Sequence, residues 1–172
     1  MKILRNVSLF IILCCVILLT EVACVKPHEV IFLNDSCIIP FKRYDYHTCQ
    51  SMRLTIDGER YVVPKNFTTD LASIPRPLWS FIAPQYTGFV APAILHDFLY
   101  SCPHNITRSY ADEVLYSALL TEGVSHYTAI KFYMAVRLFG ASHFNNKNCN
   151  KLGAESWTTY PPYAQELSSM KA

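Results

Sequence analysis

Met52-Arg53-Leu54-Thr55-Ile56-Asp57-Gly58-Glu59-Arg60-Tyr61-Val62-Val63 is the stretch on which the fold of this chain turns. Met52, Leu54 and Ile56 alternate with Arg53 and Thr55, the two-residue period of a strand with one buried face. Tyr61-Val62-Val63 suits a second strand, which Pro64 ends. Asp57-Gly58 joins the two runs. A two-residue link of this type favours the hairpin turn in which both positions take positive φ. The spacing therefore predicts an antiparallel hairpin, with Val30-Ile31-Phe32-Leu33 as a further short strand in a β region running from 29 to 64.

Beyond the hairpin the pattern changes. Residues 65 to 87 read as a long irregular segment, because Pro75, Pro77 and Pro84 forbid a regular helix across it. Its apolar content predicts a packed loop of the kind that carries function. Helical spacing then predicts three helices, from about 90 to 101, 110 to 122 and 126 to 140. Pro92 falls in the first turn of the first helix, where it is tolerated, and Gly123 stops the second. The third presents Ala129, Phe132, Tyr133, Val136 and Gly140 on one face, a core stripe first and a lipid-contacting face second. The expected class is α+β: a small antiparallel sheet, a long packed loop and a three-helix unit.

The chain has 172 residues, 51 % hydrophobic and 16 % charged, which suits one core-forming domain over residues 25–144. A polar tail, 145–172, carries Pro161-Pro162 and no expected structure. The net charge of +2 comes without a basic run or stripe, so nothing points to nucleic acid and none is expected as a partner. Residues 1–24 read as an export signal: Lys2 and Arg5 precede the apolar run Val7–Leu19, and small residues follow at Ala23 and Cys24. Cleavage, lipidation at Cys24 and retention as an anchor all stay open. So do periplasmic, membrane-anchored and virion-associated destinations. In an oxidising compartment Cys37, Cys49, Cys102 and Cys149 make two disulfides plausible, and none of these pairs has zinc-site spacing.

The chemistry lies in Ala93-Ile94-Leu95-His96-Asp97-Phe98-Leu99-Tyr100. Two ionisable residues in an apolar helix are costly to bury unless each finds a partner. The link to the next helix is short, so the two helices should run antiparallel. Counted from that turn, His96 and Asp112 come level, and a hydrogen bond between them would orient the imidazole as a general base. A competing reading of Asp112 makes Ser109-x-x-Asp112 a capping box. Asp97 either pins the preceding loop or serves as a ligand. Asp70 either forms an Asx-turn or adds a carboxylate to a site for water or a divalent cation, with Asp97 as co-ligand. Ser73 lacks the Gly-x-Ser-x-Gly surroundings of a nucleophile elbow.

Val63-Pro64-Lys65-Asn66-Phe67-Thr68-Thr69-Asp70-Leu71-Ala72-Ser73-Ile74-Pro75-Arg76 resembles the VPxGFxTDxASIPR signature of a small phage and bacterial family, domain of unknown function thirteen fifty-three. The likeness continues through Ala93–Tyr100, Arg108, Ala111-Asp112 and Ala135-Val136-Arg137-Leu138-Phe139-Gly140, covering about 50 to 140. Asn66 stands where the family usually has Gly, a swap that a left-handed position accepts. The resemblance implies a phage or prophage origin and a shared site at Asp70, Ser73, His96, Asp97 and Asp112. A fainter likeness is to the helix pair of secreted phospholipase A2, in which a His-Asp dyad meets an Asp on an antiparallel helix. His96, Asp97, Tyr100 and Asp112 are similar in arrangement, but the Gly-rich calcium loop of that family has no counterpart here.

Two functions follow as expectations. One is an exported hydrolase acting on an ester or amide of the cell envelope, with His96 as general base, Asp112 as its orienter, and Asp97 and Asp70 holding water or a cation. The other is a non-enzymatic lipoprotein that blocks an envelope receptor or channel, as in superinfection exclusion, or binds a virion or envelope protein. The expected partner is an envelope component: lipid, cell wall or membrane protein.

Overall fold

The computed structural model describes residues 25–42, 45–71, 87–101 and 106–144. The signal segment with Cys24, the loop with Ser73, Cys102, Cys149 and the tail lie outside the described residues.

The hairpin forms as its sequence dictates. Strands β4 (Met52–Ile56) and β5 (Glu59–Val63) pair in antiparallel register from Met52↔Val63 to Ile56↔Glu59. Asp57 and Gly58 take φ of 51° and 82°, the doubly positive turn that matches strand twist. Strand β1 (Val30–Phe32) adds to the other edge of β4, giving the order β1-β4-β5. Met52, Leu54, Ile56 and Val63 are buried on one face of this sheet.

A second antiparallel sheet was not legible. It consists of β2 (Ile38–Pro40), β3 (Tyr46–Thr48) and β6 (Thr68–Thr69) in the order β2-β3-β6. Thr68 and Thr69 therefore leave the irregular segment and pair with β3 through Tyr46↔Thr69. A disulfide between Cys37 and Cys49 fastens β2 to β3. Buried Thr48 fixes the turn that leads to β6: its hydroxyl donates to the Pro64 carbonyl at 2.7 Å and accepts the Phe67 amide at 2.9 Å. Asn66 holds φ of 64° in that turn, the left-handed position at which asparagine replaces glycine at little cost.

Helix α1 (Val90–Ser101) follows a short 3-10 turn over Thr87–Phe89. Nine of its twelve residues are buried, so it runs through the core rather than over it. Helix α2 (Arg108–Thr121) starts two residues earlier than expected. Its N-cap is Thr107, whose hydroxyl accepts the Tyr110 amide, and this overturns the capping box proposed for Ser109. Ser109 instead donates to Glu113 at 3.2 Å. Helix α3 (His126–Phe139) is capped by Ser125, and a 3-10 turn over Gly140–Ser142 follows it.

One core joins the first sheet to α1 and the near face of α2. A second joins α2 to α3, with Phe89 stacked on Phe132 at 4.9 Å between ring centroids. The segment before β1 is strapped to this body. The His28 amide donates to Ser117 at 3.0 Å, and His28 Nδ1 lies 2.7 Å from Asp57. Among the described residues no helix is long and apolar enough to cross a membrane.

Candidate functional site

Asp112 is the centre of the site, and the packing of the three helices puts it there. It is fully buried on α2. His96 and Tyr100 lie four residues apart on α1 and so share a face. His96 Nε2 comes within 3.0 Å of Asp112 Oδ1, and the Tyr100 hydroxyl donates to the same oxygen at 2.5 Å. The second oxygen, Oδ2, accepts from Arg137 Nη1 of α3 at 3.2 Å and faces Arg108 Nη1 at 3.8 Å. Two guanidinium groups thus compensate a buried carboxylate that would otherwise be very costly.

This network fixes the tautomer of His96. A carboxylate flanked by two arginines is an acceptor, so Nε2 carries the hydrogen, and in the neutral ring Nδ1 holds the lone pair. Burial, and then the hydrogen bond to Asp112, hold the Tyr100 hydroxyl well above its ordinary range. It therefore remains a donor to the carboxylate at all physiological pH values.

His96 is only 2 % exposed, yet it lines a cleft of about 420 Å³. One wall of the cleft is Thr68, Thr69 and Asp70. Another is Ala135, Val136 and Phe139 from the end of α3 with Gly140 after it, and Asp45, Tyr100, Ser101 and His143 also line the cleft. Asp97 lines the same cleft, and its carboxylate accepts from the Thr69 hydroxyl, which in turn accepts the Leu71 amide at 3.0 Å. Leu71 takes φ of 52°, a costly left-handed conformation for a branched side chain, directly after Asp70 at the cleft edge.

The structure thus gathers His96, Asp97, Asp70 and Tyr100 around one cleft, with Asp112 buried behind His96 and Tyr100, and Ser73 lies outside the described residues. Asp70 and Asp97 share the cleft. However, no group of three or more His, Cys, Asp or Glu side chains able to hold a metal ion occurs among the described residues. The sequence assigns no part in the site to Arg108, Arg137 or Thr69, and places Gly140 only on the core face of the third helix. Arg108 stands four residues before Asp112, so the ion-pair spacing of a helix was a usable signal. Arg137 had no such signal, because it reaches Asp112 from another helix. Gly140 is needed for room: a Cβ there would lie 2.7 Å from the Tyr100 hydroxyl.

Fold and site together define a small α+β protein with a histidine–aspartate pair set behind an open cleft. A family model described as "Protein of unknown function (DUF1353)" matches residues 47–136, more than half of the chain. The chain belongs to that family. The matched span runs from β3 into α3 and contains Thr69, Asp70, His96, Asp97, Tyr100 and Asp112. No curated protein and no solved structure matches the chain.

Proposed function

We propose that the protein is an exported, envelope-associated hydrolase of esters or amides in which His96 is the general base. The observation that carries this reading is that His96 lines the cleft with its Nε2 committed to Asp112. In the reaction, Nδ1 of His96 takes a proton from a water as the water oxygen attacks the acyl carbon. Asp112 stabilises the imidazolium that results. When the tetrahedral intermediate collapses, Nδ1 returns the proton to the departing alcohol or amine, so protons balance over the cycle. Asp97 and Asp70 hold the water, or a divalent cation, and metal analysis of the purified protein tests that second role. Export accords with the Cys37–Cys49 disulfide, which persists in an oxidising compartment. Mass measurement of the mature N-terminus distinguishes lipidated, cleaved and retained forms.

The experiment pairs activity with stability in two variants, assayed on chromogenic acyl esters and extracted envelope lipid. His96→Ala removes the base. His96→Gln also removes it but keeps an amide donor for Asp112. The hydrolase reading expects both to lose about 10²–10⁴-fold in rate, with His96→Gln melting close to the parent. Full activity in folded His96→Gln refutes it.

One observation favours the non-enzymatic reading: Asp112 ties all three helices together, so the polar cluster also has a structural use. On that reading the active surface lies in the loops. His96→Gln then leaves receptor blocking unchanged, and no ester or amide is hydrolysed by the parent.

A further inference from the structure

The outer face of α3 is apolar where a surface helix is ordinarily polar. At 3.6 residues per turn, Tyr127, Ile130, Lys131, Met134 and Leu138 fall within an arc of about 100°. Tyr127 is 70 % exposed and Leu138 54 %, while Ile130 and Met134 are half-buried. The helix carries no acidic residue. Its single cation on this face, Lys131, sits over the Tyr127 ring at 3.9 Å.

The chain enters the domain where α2 and α3 pack together. Val25 packs against the buried cluster that α2 and α3 share, the same cluster whose edge Ile130 and Met134 cover, and Lys26 beside it is exposed. The apolar run Val7–Leu19 ends six residues before Val25. Six residues reach about 20 Å when fully extended, so in the retained form the membrane that holds that run lies within that reach of Val25 and the α2–α3 pair. At the other end of the stripe, Phe139 is exposed and lines the cleft.

We infer that α3 lies along a lipid bilayer surface, with Tyr127, Ile130, Met134 and Leu138 entering the interface and Lys26 and Lys131 meeting anionic headgroups. An aromatic and aliphatic stripe with basic and no acidic charge suits that surface better than it suits water. The seating brings the Phe139 rim of the cleft to the headgroup layer. The substrate is then a lipid of the same leaflet carrying an ester or amide. This last step rests on the hydrolase reading, whereas the seating does not.

The test uses the full chain reconstituted in vesicles of zwitterionic and anionic phospholipid, with or without brominated acyl chains. Tyr127→Trp and Leu138→Trp each place a reporter on the stripe at an exposed position that does not disturb the core. Gln50→Trp reports from an exposed site at the end of β4 opposite the hairpin turn. The emission of Trp79 and Trp157 is subtracted using the parent. Both stripe reporters should shift to the blue and lose emission to brominated chains, and Gln50→Trp should not. Unquenched stripe reporters overturn the seating, whether the protein is monomeric or self-associated through α3, and so does equal quenching at all three sites. No outcome depends on catalysis, so an inactive protein with quenched stripe reporters refutes the hydrolase reading alone.

Discussion

Replacing Asp112 by Asn tests the load on the centre of the site. The amide oxygen can still accept from His96 and Tyr100 on the Oδ1 side. On the Oδ2 side an NH₂ group now points at Arg137, 3.2 Å away, and at Arg108, 3.8 Å away, so donor meets donor. The two arginine side chains are 18 % and 25 % exposed, so they escape into water only partly. A hydrogen bond to a charged group contributes about 1.5–3 kcal/mol, and breaking a buried pair on one side costs about 3–5 kcal/mol. Partial exposure of the arginines puts the expected loss near the lower end of that range, about 3–4 kcal/mol. For a domain of this size that lowers Tm by roughly 10–15 °C.

The assay is urea unfolding followed by circular dichroism, with the slope against denaturant required to stay constant. Arg137→Met and the double variant complete a cycle, and the coupling energy should exceed about 1 kcal/mol because the groups touch. A loss below about 1 kcal/mol for Asp112→Asn, or additive single effects, refutes the claim that this carboxylate joins the helices by charge.

Other perturbations follow from the same geometry. Gly140→Ala drives a methyl group against the Tyr100 hydroxyl and should cost about 1–3 kcal/mol. Adding Tyr100→Phe removes the clashing atom, so the double variant should be more stable than the sum of the single losses, and strict additivity sinks the idea. Burial raises the Tyr100 hydroxyl and also that of Tyr61. Below the ordinary value near 10 both the folded and unfolded states keep these protons, and stability is unaffected. Above it the unfolded chain ionises first, so stability falls as pH rises, by up to about 1.4 kcal/mol per pH unit for each tyrosine. Tyr100→Phe should flatten that decline in urea midpoints measured between about pH 10 and 11.5, and an unchanged slope contradicts the argument. Reducing the Cys37–Cys49 disulfide, or replacing Cys37 by Ser, opens a loop of sequence separation 12 and should cost about 3 kcal/mol, read as a lower Tm.

What the sequence revealed was local chemistry strong enough to stand alone. Asp57-Gly58 between alternating strands needs no tertiary help to specify a hairpin, and the apolar run around Pro92 allows only a helix that begins there. The short strands β2, β3 and β6 had no such signal. They are two or three residues long and are held by cross-chain pairing, the buried Thr48 and a disulfide. The capping reading failed for a related reason: Thr107 and Ser109 are both competent caps, and two residues decide between them. His96 and Asp112 were brought level by counting from a short turn. Their third partner, Arg137, stands 25 residues beyond Asp112 and belongs to no local pattern, so only the packed bundle reveals it.

That bundle explains why the site resists simple dissection. Asp112 orients His96, accepts Tyr100, and binds α3 through Arg137, whereas Arg108 donates to the carbonyls of Val136 and Arg137 at the end of the same helix. A variant that removes Asp112 therefore loosens the helix bundle and releases the His96 ring in one step. Loss of activity there says nothing about chemistry. His96 is different, because its bond to Asp112 needs only a donor, while proton transfer needs the second ring nitrogen. Glutamine supplies the first and lacks the second. The two roles that the fold has merged at Asp112 thus come apart at His96, and only a substitution there can tell an ordered polar cluster from a working base.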